Sequence, residues 1–236
     1  MLENAAGFLN NYNLFRGHLW WHLAMFKYSE AGYDEVLELL DREIYPKVSS
    51  FYLDIQNAVS LLVRLELQGV AVGAERWERL AQGALQTATQ NTVWFTTLHH
   101  VLALLRTGRS AAVNETLAYA NAHAAAGSEQ ARLASKISEA AVSHAKGAGR
   151  DALDRLLSLR QEFGQLGASH VQQDLYQQVM ISAAVQAGDW PRIRQLLKER
   201  SAARIYSSQD IGRFTTLAGR IDEMQSIEDV RAEFRR

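Results

Sequence analysis

The chain has 236 residues, 25 Lys+Arg against 26 Asp+Glu, a pI near 6.7 and 47% hydrophobic residues. This near-neutral balance lacks the basic footprint that a phosphate backbone demands and argues against nucleic acid as the main partner. Zero cysteines exclude a disulfide scaffold, a thiolate nucleophile and a zinc-thiolate site.

Only Pro46 and Pro191 interrupt the chain, and Ala, Leu, Gln, Arg and Glu, all good helix formers, supply much of it. Nothing alternates with period two for long enough to propose a sheet, so the predicted class is all-α. The stretch from Met1 to Leu14 carries Glu3 and several Asn instead of a basic segment followed by an apolar one, unlike a signal peptide. No apolar run reaches membrane-spanning length. A cytoplasmic protein with no membrane partner is expected.

In chain order, helical periodicity predicts hairpins that pair 17–31 with 33–46, 52–69 with 74–90, 92–107 with 109–125, 129–146 with 149–167, and 169–187 with 189–200. A helix over 207–220 would cap the last pair. Gly32, Gly73, Gly108, Gly147 and Gly188 punctuate these units at intervals of 41, 35, 39 and 41 residues, a repeat spacing. No Pro-, Gly- or Ser-rich stretch reads as a linker. The expected organisation is one domain over 1–236, with an N-terminal segment 1–16, hairpins over 17–200 and a cap over 201–236. The expected architecture is a right-handed αα superhelix of about five hairpins plus a capping helix, with the first helix of each pair lining a concave groove.

In the first unit Trp21, Ala24, Met25, Tyr28 and Gly32 fall at offsets of three, four, seven and eleven, which resembles a tetratricopeptide repeat with one residue of the turn deleted. Later units keep the skeleton and lose the signature. The segment His18-Leu19-Trp20-Trp21-His22-Leu23-Ala24, with Tyr33-Asp34-Glu35-Val36-Leu37 and Asp41-Arg42-Glu43-Ile44, is similar to the tetratricopeptide repeat protein 38 family. Ser60-Leu61-Leu62-Val63-Arg64-Leu65-Glu66-Leu67-Gln68-Gly69-Val70, Arg76-Trp77 and Leu98-His99 continue the likeness, which covers roughly residues 15 to 125. It implies a helical-repeat fold and no assigned reaction. Asn57 and Thr97 stand where that family often has acids, which favours binding over catalysis.

His18 and His22 are four apart on one helix face, a metal-chelating spacing without the glutamate that zinc hydrolysis needs; packed or hydrogen-bonded histidines are the simpler reading, and no metal or other cofactor is expected. His99 and His100 are adjacent, so they point to different sides of their helix, and one is expected buried and neutral. On the helix over 52–69, Asp54, Asn57, Ser60, Arg64 and Gln68 form a polar stripe opposite Ala58, Leu61, Leu62 and Leu65. Placed on the concave side, the stripe predicts a pocket formed by His18, Trp21, His22, Asp54, Asn57, Arg64 and His99. Trp20 and Trp94 would help to wall it, and Arg64 would clamp an anionic or polar group.

The basic stretch Arg192, Arg194, Lys198, Arg200 and Arg204 is expected to be a solvated face. No Gly-rich phosphate loop, nucleophile elbow or convincing carboxylate pair appears. The leading expectation is a scaffold that binds a protein or peptide in its groove. The alternative is a small-molecule-binding or hydrolytic protein using the His/Arg pocket, and a third reading is self-assembly through solenoid ends.

Overall fold

The structure, a computed structural model, describes residues 15–202 and is all-helical over that span. Ten α-helices follow one another there: α1 (Arg16–Ser29), α2 (Tyr33–Leu39), α3 (Tyr52–Leu67), α4 (Ala74–Thr87), α5 (Thr97–Arg106), α6 (Ser110–Ala125), α7 (Glu129–Ala145), α8 (Gly149–Leu159), α9 (His170–Gln186) and α10 (Trp190–Ala202). The cap expected over 207–220 lies outside the described residues.

Each odd-numbered helix ends in the same six-to-one bond closed over a left-handed residue. Gly32 N–H returns to Lys27 O, Val70 N–H to Leu65 O, Arg109 N–H to Leu104 O, Ala148 N–H to Ser143 O and Asp189 N–H to Ala184 O. This C-cap satisfies carbonyls that the helix leaves open. The left-handed residues are Ala31, Gly69, Gly108, Gly147 and Gly188, at intervals of 38, 39, 39 and 41. The true period is therefore more even than the glycine count suggested, because the second turn is made by Gly69, and Gly73 opens α4 instead. In the first turn Ala31 takes φ 60 while Gly32 sits at φ −77. An alanine there bears a strain that glycine escapes.

Three element ends differ from the expected bounds. The helix expected from 92 begins at Thr97, after a 3-10 turn at Trp94–Thr96; the Asn91 side chain bonds Val93 on both sides of its amide and holds the chain out of helix. The helix expected to run to 167 stops at Leu159, and a 3-10 turn at Phe163–Leu166 leads into Gly167 at φ 79. Beyond α2 the chain widens into a π-helical turn at Leu40–Ile44 before Pro46. Ser169 opens α9 as a capping box with Gln172.

Successive first helices pack on one another and run parallel. Trp21 Nε1–H donates to Ser60 Oγ at 3.0 Å and Gln68 Nε2–H to Tyr28 Oη at 2.6 Å, joining α1 to α3. Gln56 Nε2–H donates to Thr96 Oγ1 at the start of α5, and Arg106 Nε–H donates to Glu66 Oε2 at the ends of α5 and α3. These rungs span 39 or 40 residues, one repeat. The second helices carry ionic rungs of their own, from Asp41 to Arg76 and Arg79, and from Glu78 to Arg109.

The stack also turns back on itself. Besides the contacts of α3 with α5, α5 with α7 and α7 with α9, helix α3 touches α9 directly. Four first helices thus form a closed ring, whose interior is continuous with a core running from Trp20 to Leu197.

Candidate functional site

The polar stripe of α3 lies inside the protein. Asn57, Ser60 and Arg64 are all buried, because α3 is enclosed by α1 on one side and by the closing ring on the other. A polar group in that setting needs a partner, and each neighbour supplies one. Asn57 Oδ1 accepts from His18 Nδ1–H at 3.0 Å, Ser60 takes the Trp21 indole, and Gln68 takes Tyr28. The stripe is what holds repeat one to repeat two.

Four of the expected site residues therefore do come together. His18 stacks on Trp21 with ring centroids 5.3 Å apart, His22 meets both edge-on, and Asn57 closes the group. Burial, with the neighbouring His18 second, lowers the His22 pKa and favours the neutral ring. Among the described residues no group of three or more His, Asp or Glu could hold a metal ion. Asp54 sits one turn below against Ser49, whose hydroxyl donates to it at 2.7 Å; burial raises its pKa.

Arg64 and His99 belong to a second, interior group. Arg64 has no exposed surface; it reaches back along α3, as helical side chains do, and donates to Ser60 O and to Val171 O on α9. Asp174 on α9 lies 3.6 Å from the same guanidinium and takes a two-pronged bond from Arg200 at 2.9 and 3.0 Å, with Gln178 donating to it as well. This clasp closes the ring between α3 and α9. The guanidinium expected to clamp a ligand is committed to the fold, and Arg200, expected on a solvated face, is buried with it.

His99 is buried beside this clasp and donates Nδ1–H to Phe95 O; burial pushes its pKa down to about 3, against that bond and aided by His100 and Arg64. His100 is buried too, at about 4. Both rings are enclosed, where one was expected outside, because α5 lies between α3 and α7 in the ring. The aromatic walls do not converge either. Trp94 packs on Tyr119 and His123 of α6, and Trp20 lines a separate cleft with Lys27, Glu38 and Arg42.

Another opening lies at the C-terminal mouth of the ring. A cavity of about 230 Å³ lies there, and its construction is four-fold. Val63, Leu102, Ala141 and Val179, one from each of α3, α5, α7 and α9, form an apolar floor, all buried. The last residue of each helix, Leu67, Arg106, Ala145 and Gln186, stands at the rim. His144 and Ser182 complete it. His144 is held from both sides, Nδ1 2.9 Å from Gln186 Oε1 and Nε2 2.9 Å from Ser182 Oγ. The amide oxygen accepts from Nδ1–H, and Nε2 shares a hydrogen bond with the serine hydroxyl.

A hydroxyl, a base and an orienting group in this order are two steps of nucleophilic catalysis. The third step, donors for an oxyanion, is not built here. Ser182 lies inside α9, whose backbone N–H groups are taken up by the helix, and the guanidinium that lines the cavity, Arg106, folds onto Glu66 at 2.9 Å and over the Trp77 ring.

Sequence reading missed this rim. The signal was available in the register: Ser182 and Gln186 lie 38 and 42 residues beyond His144, one repeat away, as Ser60 lies 39 beyond Trp21. No helix among the described residues is long and apolar enough to cross a membrane. No family model matches the chain, and no solved structure matches it.

Proposed function

We propose that the chain is a tetratricopeptide-like αα superhelix of five hairpins that acts as an interaction scaffold, holding a protein or peptide partner at the C-terminal mouth of its first helices. The observation that carries this reading is the cavity there, an apolar floor ringed by four helix ends. It is the kind of concave, mainly apolar site with a few fixed polar groups that recognition uses. Its volume of about 230 Å³ falls short of the roughly 300 Å³ and more typical of drug-sized ligands, and suits one apolar side chain of a larger partner. The even turn spacing and the rungs between repeats support the superhelix, and the resemblance of residues 15 to 125 to the tetratricopeptide repeat protein 38 family points the same way.

Photo-crosslinking tests it. Benzoylphenylalanine placed at the exposed rim residue Gln186 should capture a discrete partner in extract of the native host, and the same group at Leu85, exposed on α4, should not. Equal labelling at the two positions would refute a docking mouth.

A further inference from the structure

The pit at the C-terminal mouth carries a relay of polar groups beside its apolar floor. Val179, Ser182 and Gln186 lie at i, i+3 and i+7 of α9, on one stripe of that helix, and His144 faces them from α7. The imidazole meets the serine hydroxyl with one nitrogen and the amide oxygen with the other, at 2.9 Å each. With the ring neutral, Nδ1–H held by Gln186 leaves the Nε2 lone pair to Ser182 Oγ. That order is nucleophile, base and orienting group. The rung between Trp21 and Ser60 is buried, whereas Ser182 and His144 are both half-buried and line the pit, so a reactant can reach the hydroxyl.

The missing oxyanion donors define the reactive end of a substrate. One such donor is worth about 10²–10³ in rate, so without them the carbonyl of an amide or alkyl ester is out of reach. An acyl group on a good leaving group carries its own activation. The floor defines the other end. A cavity of about 150 Å³ holds a benzene ring, and by the same measure about 230 Å³ takes a chain of about six to nine carbons. That chain would seat on Val63, Leu102, Ala141 and Val179, with its carbonyl at Ser182.

From the relay and the floor we infer that Ser182 is an acyl acceptor, which takes a medium-length apolar acyl group from an activated ester and holds it covalently in the pit. Oγ attacks the carbonyl carbon, the hydroxyl proton passes to His144 Nε2, and the bond from that carbon to the leaving group breaks, the leaving group departing as its anion. His144 then gives the proton to water and is neutral again. The product is an alkyl ester, whose hydrolysis meets the same missing donors, so the acylated protein accumulates. The inference shares its pit with the scaffold reading and does not depend on a partner.

Mass spectrometry of the full chain treated with p-nitrophenyl hexanoate tests it, at about pH 8.5, above the range in which an imidazole charges. One hexanoyl group should appear on Ser182, with a burst of one equivalent of nitrophenolate, and hydroxylamine should remove it as it removes an ester. The hexanoate should react at least tenfold faster than p-nitrophenyl acetate, since each methylene seated on the floor favours binding. Ser182→Ala should abolish the adduct, and His144→Ala should slow its formation about 10²–10⁴-fold, the worth of a general base.

Gln186 is a positioning residue in this account. Gln186→Ala should slow acylation about tenfold, and Gln186→Glu, which keeps an acceptor for Nδ1–H, should restore it. Gln186 is exposed, so this pair reports even where His144→Ala disturbs folding. An absence of adduct on Ser182 overturns the inference. So does acylation at an unchanged rate in His144→Ala or Gln186→Ala, or an acetate that reacts as fast as the hexanoate.

Discussion

Replacing Asp174 by alanine isolates the clasp that closes the ring. In the native protein its carboxylate lies between Arg200, which it binds through both oxygens, and Arg64, and the three side chains are 3%, 3% and 0% exposed. The variant leaves two guanidinium groups buried without their shared counter-charge. Breaking a buried pair in this way costs about 3–5 kcal/mol, at least a fifth of the roughly 5–15 kcal/mol that stabilises a typical domain. Urea unfolding followed by circular dichroism reads the loss directly. Because the penalty arises from the orphaned charges, replacing all three groups with apolar ones (Arg64→Met, Asp174→Leu, Arg200→Met) should restore stability to within about 1 kcal/mol of the native protein. An Asp174→Ala loss below about 1 kcal/mol, the range of an exposed ion pair, would refute the clasp.

Acid should weaken the fold through His99 and His100. Both are neutral when folded, with pKa values near 3 and 4, and titrate at about 6.5 when unfolded. Their contribution is full above that unfolded value and falls with decreasing pH, by about 2 kcal/mol each between pH 7 and pH 5; urea midpoints at the two values measure it, and a flat profile would contradict the burial. Ala31→Gly should stabilise by about 1 kcal/mol, because Ala31 holds φ 60; an unchanged thermal midpoint would mean the turn is unstrained. Gly83→Ala should destabilise by about 1–3 kcal/mol, since an added Cβ would stand 2.3 Å from Ser49 O, and the same thermal assay checks it.

Helix positions were readable because each hairpin announces itself locally. Apolar residues recur at helical spacing, and left-handed glycines such as Gly108 and Gly147 stop the first helix of a pair. The cluster of His18, Trp21, His22 and Asn57 was readable too, since neighbouring first helices lie one repeat apart. The course of the stack was not. Whether α3 meets α9 depends on small rotations accumulated over three hairpins, and the residues that make the contact, Arg64, Asp174 and Arg200, are 110 and 26 positions apart. A polar stripe on one helix looks the same whether it faces water, a ligand or another helix. That ambiguity placed Arg64 in an open groove and Arg200 on a solvated face. Asp174 gave no local sign of its role, sitting among glutamines in α9.

Ring closure between α3 and α9 is the claim on which the pit depends, and the cysteine-free chain makes it easy to measure. Cysteines introduced at Leu67 and Gln186, on opposite sides of the seam, can carry nitroxide spin labels for pulsed dipolar spectroscopy. Directly packed helices lie about 8–10 Å apart, so the closed ring predicts one narrow distance near 20 Å once the label arms are included. An open stack would put three such steps, about 24–30 Å, between α3 and α9, and would give a measured distance of about 35–40 Å with the same label arms. A distribution centred there would contradict the closed ring and remove the pit with it.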